Sequence, residues 1–221
     1  MRENLGSMKI FEGISEQDLE TLLQCLRAFE RRCRKGEVIL KEGEPTEWLG
    51  VVLSGRAIIA SDDVWGNHSI LGSAPPGAVF AEAYACIPGE PLRITVSAAE
   101  DTEVLFLNAG KAAASCSCAC PFHARLVQNL LSVCARKSLE LSRRILHTSS
   151  KSIRGRLLSY FSECAKKSGS CSFRVPYSRQ QLADYLSVDR SAMCSELSKM
   201  QKDGLIRYSR NDITILAAHM L

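Results

Sequence analysis

The sequence predicts an α+β chain built in three parts, and three observations carry that reading. Residues 38–107 hold short apolar runs separated by glycine and proline turns. Residues 121–146 contain no glycine and no internal proline, which suits one long helix. Residues 178–200 hold two short helical patterns with only Ser187-Val188 between them.

Composition sets the limits. The chain has 221 residues, 46% of them hydrophobic and 24% charged. This is the balance of a soluble globular protein with room for one or two domains. No apolar run approaches the ~18 residues of a membrane span. Met1 to Ile14 lacks the apolar core of a signal peptide, so the expected location is the cytoplasm and no membrane partner is expected. The ten cysteines are then expected to be reduced thiols rather than a disulfide frame. Charge is uneven. Residues 151–221 carry 12 Lys and Arg against 6 Asp and Glu, while residues 1–150 carry 16 against 18. A basic C-terminal part joined to a slightly acidic front points to a polyanionic partner for the back.

The front begins with a helix over Ser15 to Phe29, where Leu19, Leu22, Leu23, Leu26 and Phe29 recur at helical spacing and Ser15-x-x-Asp18 can cap the start. After Gly36 the pattern turns to strands: Val38–Leu40, Leu49–Leu53, Ala57–Ala60, His68–Leu71, Val79–Phe80, Ile94–Ala98 and Val104–Leu107. Gly43, Gly55, Gly66 and Pro75-Pro76-Gly77 punctuate them, as in a small sandwich or barrel. A metal enzyme on such a barrel needs several converging histidines and carboxylates. The strand region offers only His68, and the chain has no nucleophile motif, phosphate loop or dinucleotide fingerprint. The expectation is a protein that is not an enzyme and has no cofactor.

In the long helix Val127, Leu131, Cys134, Ser138, Leu141 and Ile145 step by alternating fours and threes, a heptad seam. Leu126, Leu130 and Val133 form a second apolar stripe beside it. One stripe for its own domain and one for a second copy is the pattern of a dimer spine.

In the last part, Leu182, Ala183 and Leu186 share one helical face, and Met193, Leu197 and Met200 share a face of the next helix. Asp189 is the expected cap of that second helix. Two helices at a sharp turn, the second presenting Arg190, Ser191 and Ser195 outward, read as a DNA-binding helix-turn-helix.

The whole chain resembles the Crp–Fnr family of bacterial transcription regulators. "KGEVILKEGEPTEWLGVVLSGRAII" is similar to the opening of that family's cyclic-nucleotide-binding-type roll. "PPGAVFAEAYAC" is similar to the segment leading into its effector pocket, and "YSRQQLADYLSVDRSAMCSELSKMQKDGLI" to its DNA-binding signature. "GLIRYSRNDITIL" resembles the wing, with strands at Leu205–Tyr208 and Ile213–Leu216 and a turn at Ser209–Asp212. The resemblance implies a β-roll or jelly-roll sensor domain over 1–120, a dimerisation helix over 121–147 and a winged helix-turn-helix over 148–221. It also implies a homodimer acting on double-stranded, palindromic DNA, with RNA polymerase as a further partner.

Resemblance and charge together assign Ser178, Arg179, Gln180, Asp189, Arg190, Ser191, Ser195 and Lys199 to the DNA side. Arg190 is the expected base reader, because its guanidinium can fork onto guanine. Arg179, Gln180 and Lys199 are expected to position the duplex through phosphates. Ser195 stands where related sequences often carry Arg, and Ser187 where they carry Gly. The resemblance places the effector pocket at Ala81, Glu82, Ala83, Tyr84, Arg93 and Thr95. Glu82 matches the family's ribose-binding Glu, with Ala81 in place of the preceding Gly. Arg93 matches its phosphate-binding Arg with one extra residue of spacing. With no ligand bound, Glu82 and Arg93 are expected to pair inside the roll. These departures argue against cyclic AMP and leave the effector's identity open.

"CSCACPFH" offers Cys116, Cys118, Cys120 and His123 in eight residues. The spacing fits neither a usual zinc pair nor a ferredoxin run, so unpaired cysteines at the start of a helix are the first expectation. A thiol- or metal-responsive regulator is the alternative, with Cys120 activated by the helix N-terminus. A ligand-binding module that keeps the roll without binding DNA is the other.

Overall fold

The computed structural model describes residues 5–62, 65, 68–113 and 121–216. The chain divides into two compact units, Met1–Arg136 and Lys137–Leu221.

In the first unit two short 3-10 turns, Leu5–Ser7 and Lys9–Phe11, bury Leu5, Ile10 and Phe11. Helix α1 follows over Glu16–Cys25. Its cap is Ser15, whose Oγ accepts from the Asp18 N–H at 3.2 Å and donates to the Asp18 carboxylate at 2.7 Å. The helix ends earlier than its periodicity predicts. Arg27 turns into the left-handed region at φ 51°, and Phe29 opens strand β1, Phe29–Cys33. Phe29 is in phase with the helical leucines, but its ring is held by Phe106 and Trp48, each with centroids at 5.0 Å. Tertiary stacking thus overrides local periodicity.

The remaining elements of the roll are β2 (Val38–Leu40), β3 (Trp48–Ser54), β4 (Ala57–Asp62), β5 (His68–Ala74), β6 (Val79–Phe80), α2 (Glu82–Ala85), β7 (Thr95–Ala98), β8 (Thr102–Asn108) and α3 (Ala109–Ala113). They form two antiparallel four-stranded sheets, ordered β1-β8-β3-β6 and β2-β7-β4-β5. Ile39, Val52, Phe80, Val96 and Phe106 from both sheets fill the space between them. Leu49, Val51, Leu105 and Leu107 face the other way, onto α1 and the first half of α4 (Pro121–Thr148). The first sheet is therefore covered on both sides. That explains why β3 and β8 read as continuous apolar runs rather than alternating ones. Phe80 lies so close over Gly50 that a Cβ there would come within 2.1 Å of its ring.

Helix α4 divides its apolar residues partly as the two stripes predict: Cys134 of the seam packs against the roll's outer core, and Leu139 and Leu146, outside both stripes, are exposed. Leu126 and Leu130 are buried in the roll's outer core with Val133 packed beside them. Leu131, Leu141 and Ile145 remain 68%, 62% and 67% exposed.

The second unit holds the end of α4, then α5 (Ile153–Ser168), β9 (Ser172–Arg174), α6 (Arg179–Leu186), α7 (Arg190–Lys202), β10 (Ile206–Ser209) and β11 (Asp212–Ile215). Leu157 and Phe161 of α5, Leu182 and Leu186 of α6, and Met193 and Leu197 of α7 meet in one core, fully or almost fully buried. Each such side chain contributes about 2 kcal/mol of transfer free energy. The sheet order is β10-β11-β9. The wing strands lie one residue from the predicted spans, with Ser209 paired to Asp212. Strand β9 carries no alternation that could have revealed it; it adds to the wing as an edge, with Phe173 opposite Ile213. No helix among the described residues is long and apolar enough to cross a membrane.

Candidate nucleic-acid interface and effector site

Helix α6 begins with a capping box. Ser178 Oγ accepts from the Gln181 N–H at 3.2 Å, and Gln181 Oε1 accepts from the Ser178 N–H at 2.9 Å. Such a cap is worth about 1 kcal/mol. The helix stops at Ser187, which sits in the left-handed region at φ 54°, ψ 53°. Glycine would enter this region without a Cβ penalty. Val188 N–H donates back to the Ala183 carbonyl at 3.0 Å, and the chain restarts at once as α7.

Asp189 caps α7 as predicted, accepting from the Ala192 N–H at 2.8 Å. Ser191 Oγ also donates to this carboxylate. That hydroxyl, followed by the Ala192 N–H, holds the Asp189 carboxyl below its ordinary range. Asp189 and Ser191 are thus occupied with each other at the helix start. Arg190, Ser195 and Lys199 are exposed on α7, and Gln180 on α6 reaches back to Asp184 at 2.8 Å.

Arg179 is committed elsewhere. Its guanidinium lies 5.3 Å from the Tyr208 ring centroid and donates to the Arg210 carbonyl, so it fastens α6 to the wing. Its Nη1 is buried without a hydrogen-bond partner among the described residues.

Three arginines that sequence reasoning passed over brace this unit. Arg154 ion-pairs with Glu196 of α7 and, at 2.8 Å, with Asp203 beyond its end. Arg156 Nη1 donates to the Leu186 and Ser187 carbonyls at 2.9 and 2.8 Å. Arg144 of α4 donates to the Tyr185 and Asp184 carbonyls, both at 3.1 Å. All three act on partners about 30 or more residues away, or on carbonyls that any residue supplies, so no local pattern announces them.

In the roll, Ala81 adopts φ 58°, ψ 11° and caps α2 from the left-handed region. The carboxylate-bearing Glu82 is 6% exposed. Tyr84 is half-buried against the inter-sheet core, and Thr95 Oγ1 accepts from the Glu42 N–H at 3.4 Å. Two expectations are corrected. Ala83 is exposed, because α2 is a single turn and turns that position outward. Arg93 does not join Glu82 in a buried pair. It is 79% exposed and lies 4.0 Å from Glu90, three residues back. The added residue between Glu82 and Arg93 lets the chain place the guanidinium in water, where an ion needs no partner.

Residues 30–116 match the cyclic nucleotide-binding domain family, and residues 155–221 match the Crp-like helix-turn-helix domain family. The chain belongs to the Crp–Fnr family of transcription regulators. Similar folds occur in CprK complexed with OCPA (14% identity, 94% of each chain, TM-score 0.66). They also occur in the c-di-GMP-responsive regulator CLP of Xanthomonas campestris (17% identity, 92% of this chain and 100% of that one, TM-score 0.59). A third is the catabolite activator protein of Thermus thermophilus (20% identity, 94% and 93%, TM-score 0.50). No curated protein sequence matches the chain.

As a Crp–Fnr member the chain joins an effector-binding type of roll to a winged helix-turn-helix. The cysteines of the "CSCACPFH" segment lie outside the described residues. His123 is described: it is buried, and its Nδ1 has no hydrogen-bond partner among the described residues. Burial pushes the Cys33 and Cys164 thiols up, which keeps them protonated and unreactive near neutrality.

Proposed function

We propose that this protein is a homodimeric, sequence-specific DNA-binding transcription regulator of the cytoplasm, acting on an imperfect palindrome. The observation that carries the reading is α7: capped by Asp189, braced by Arg154, and presenting Arg190, Ser195 and Lys199 to solvent. A rigid helix with a long forked donor in its first turn suits the major groove. Two copies related by a two-fold axis would enter successive grooves about 34 Å apart. The exposed stripe of Leu131, Leu141 and Ile145 supports pairing through α4. With Ser at 195, guanine readout rests on Arg190, so the preferred sequence should differ from that of members with two arginines.

The same reading makes cyclic AMP the wrong effector. A phosphate needs backbone N–H groups and a placed cation. Here Ala81 adds a methyl group where the backbone must come close, and Arg93 stands in solvent. Control then rests on the apo roll or on another small molecule.

Selection of binding sites from random duplexes, followed by gel shift, is the test. A palindromic consensus with half-sites one helical turn apart is expected, and Arg190→Ala should abolish preference at one base pair per half-site. Failure to enrich any palindrome would favour a ligand-binding module that only keeps the roll. Calorimetric titration with cyclic AMP should show no binding at micromolar concentration.

A further inference from the structure

The roll is not the only part of the chain with room for a ligand. In the second unit a cavity of about 480 Å³ opens between the end of α4, α5, β9 and α6. We propose that this cavity binds a small aromatic carboxylate, and that the DNA-binding unit thereby carries a ligand site of its own.

The walls are aromatic. Tyr177 and Tyr185 stack with centroids 5.3 Å apart and planes at 25°. Tyr160 meets them at 6.2 and 5.5 Å, and His147 stands edge-on to Tyr160 at 5.4 Å. Four rings against one cavity offer flat, polarisable surface to a flat guest.

The rim is cationic. Arg143, Lys167 and Arg174 line the opening, against the carboxylates of Glu140 and Glu163. Glu163 is already satisfied. It takes an ion pair from Lys167 at 2.6 Å, a polar contact from His147 Nε2 at 2.7 Å and a longer contact from Arg143 at 3.6 Å. Arg143, Lys167 and Arg174 set against Glu140 and Glu163 leave one positive charge over along this lining. Arg174 is exposed on β9. An anion can therefore draw Arg143 and Arg174 into bidentate contact without stripping Glu163 of its shorter partners. A neutral aromatic would gain the rings but not this term, and an aliphatic acid would gain the cations but not the rings.

The position gives binding a consequence. Tyr185 lies on α6, the first helix of the DNA-binding pair, and its hydroxyl is 2.9 Å from His147 Nδ1 on α4. A guest stacked on Tyr177 and Tyr185 would tighten α6 against α4 and α5. Occupancy is then coupled to how α7 is presented, and DNA in turn alters affinity for the guest.

The proposal is separate from the DNA reading, which the gel shift without added ligand tests by itself. The probe is 1-naphthoate, titrated calorimetrically into the full-length protein, with 1-naphthalenemethanol and cyclohexanecarboxylate as controls. Saturable binding below about 1 mM is expected, at least about tenfold tighter than either control. Arg174→Gln and Tyr177→Leu should each weaken it about tenfold or more, while Glu82→Gln in the roll should leave it unchanged. Arg174 is exposed, so its variant is expected to fold, and circular dichroism checks both. The idea fails if 1-naphthoate does not saturate, if the controls bind equally well, if well-folded Arg174→Gln binds as wild type does, or if Glu82→Gln alone abolishes binding.

Discussion

Arg156 holds the carbonyl of Ser187 at 2.8 Å, and Ser187 is the residue on which the turn between α6 and α7 pivots in the left-handed region. A serine pays a strain there that glycine would not, and a guanidinium from α5 holds the strained peptide in place. Ser187→Gly should therefore raise stability by about 0.5–1 kcal/mol, read as a higher denaturant midpoint with an unchanged slope. Arg156→Met should lower it by about 1–3 kcal/mol, because two turn carbonyls lose a charged donor. A Ser187→Gly variant no more stable than wild type would mean the turn is relaxed already.

Ala81 poses the same problem in the roll, buried and at φ 58°. Ala81→Gly should stabilise the protein by about 1 kcal/mol. It should not create cyclic AMP binding, since Arg93 would still stand in water. Calorimetry on the variant checks both halves of that statement, and nucleotide binding by Ala81→Gly would show that the methyl alone had closed the site.

The pH dependence of the second unit should follow Glu163. Burial alone would push its carboxyl up, but the Lys167 hydrogen bond and the charges of Lys167, His147 and Arg143 outweigh it and leave the pKa lowered. A carboxyl with a lowered folded-state pKa contributes stability above its unfolded pKa, and loses it as pH falls through the folded value. Glu163→Gln should therefore cost stability at neutral pH. The gap to wild type should narrow as pH falls below the ordinary carboxylate range. Chemical denaturation across that window is the measurement, and a gap independent of pH would place the cost in packing instead.

On DNA, Lys199→Ala should weaken all sequences alike and flatten the slope of log K against log salt by about one unit. Arg190→Ala should cost about 1–3 kcal/mol on the preferred site and little elsewhere. If Lys199→Ala changed sequence preference instead, Lys199 would belong among the base readers.

Leu131→Asp and Leu141→Asp should each give monomers by light scattering, with weak DNA binding, since a charge would enter the pairing stripe. Persisting dimers would mean that α4 does not carry the contact.

Much of this was legible in the sequence where the signal is local. The strands of the roll were marked by their turns, and Ser15 and Asp189 were readable as caps because a cap acts within three residues. Strand β1 was hidden because Phe29 keeps step with the helix before it, and β9 because three residues carry no usable alternation. The bracing by Arg144, Arg154 and Arg156 depends on contacts that exist only once the chain has folded. In the roll, the burial of Glu82 was legible in the sequence, although the outward turn of Ala83 was missed. The fate of Arg93 was missed too, since one inserted residue decides whether a side chain turns inward or into water.

The bare stripe on α4 bears on abundance as well as on architecture. A protomer fresh from the ribosome carries Leu131, Leu141 and Ile145 in water, and in the dimer we propose an encounter with its twin would cover them. In that proposed dimer the number of competent pairs would grow, while protomers are scarce, as the square of their concentration, so promoter occupancy would respond to gene dosage with a threshold rather than in proportion.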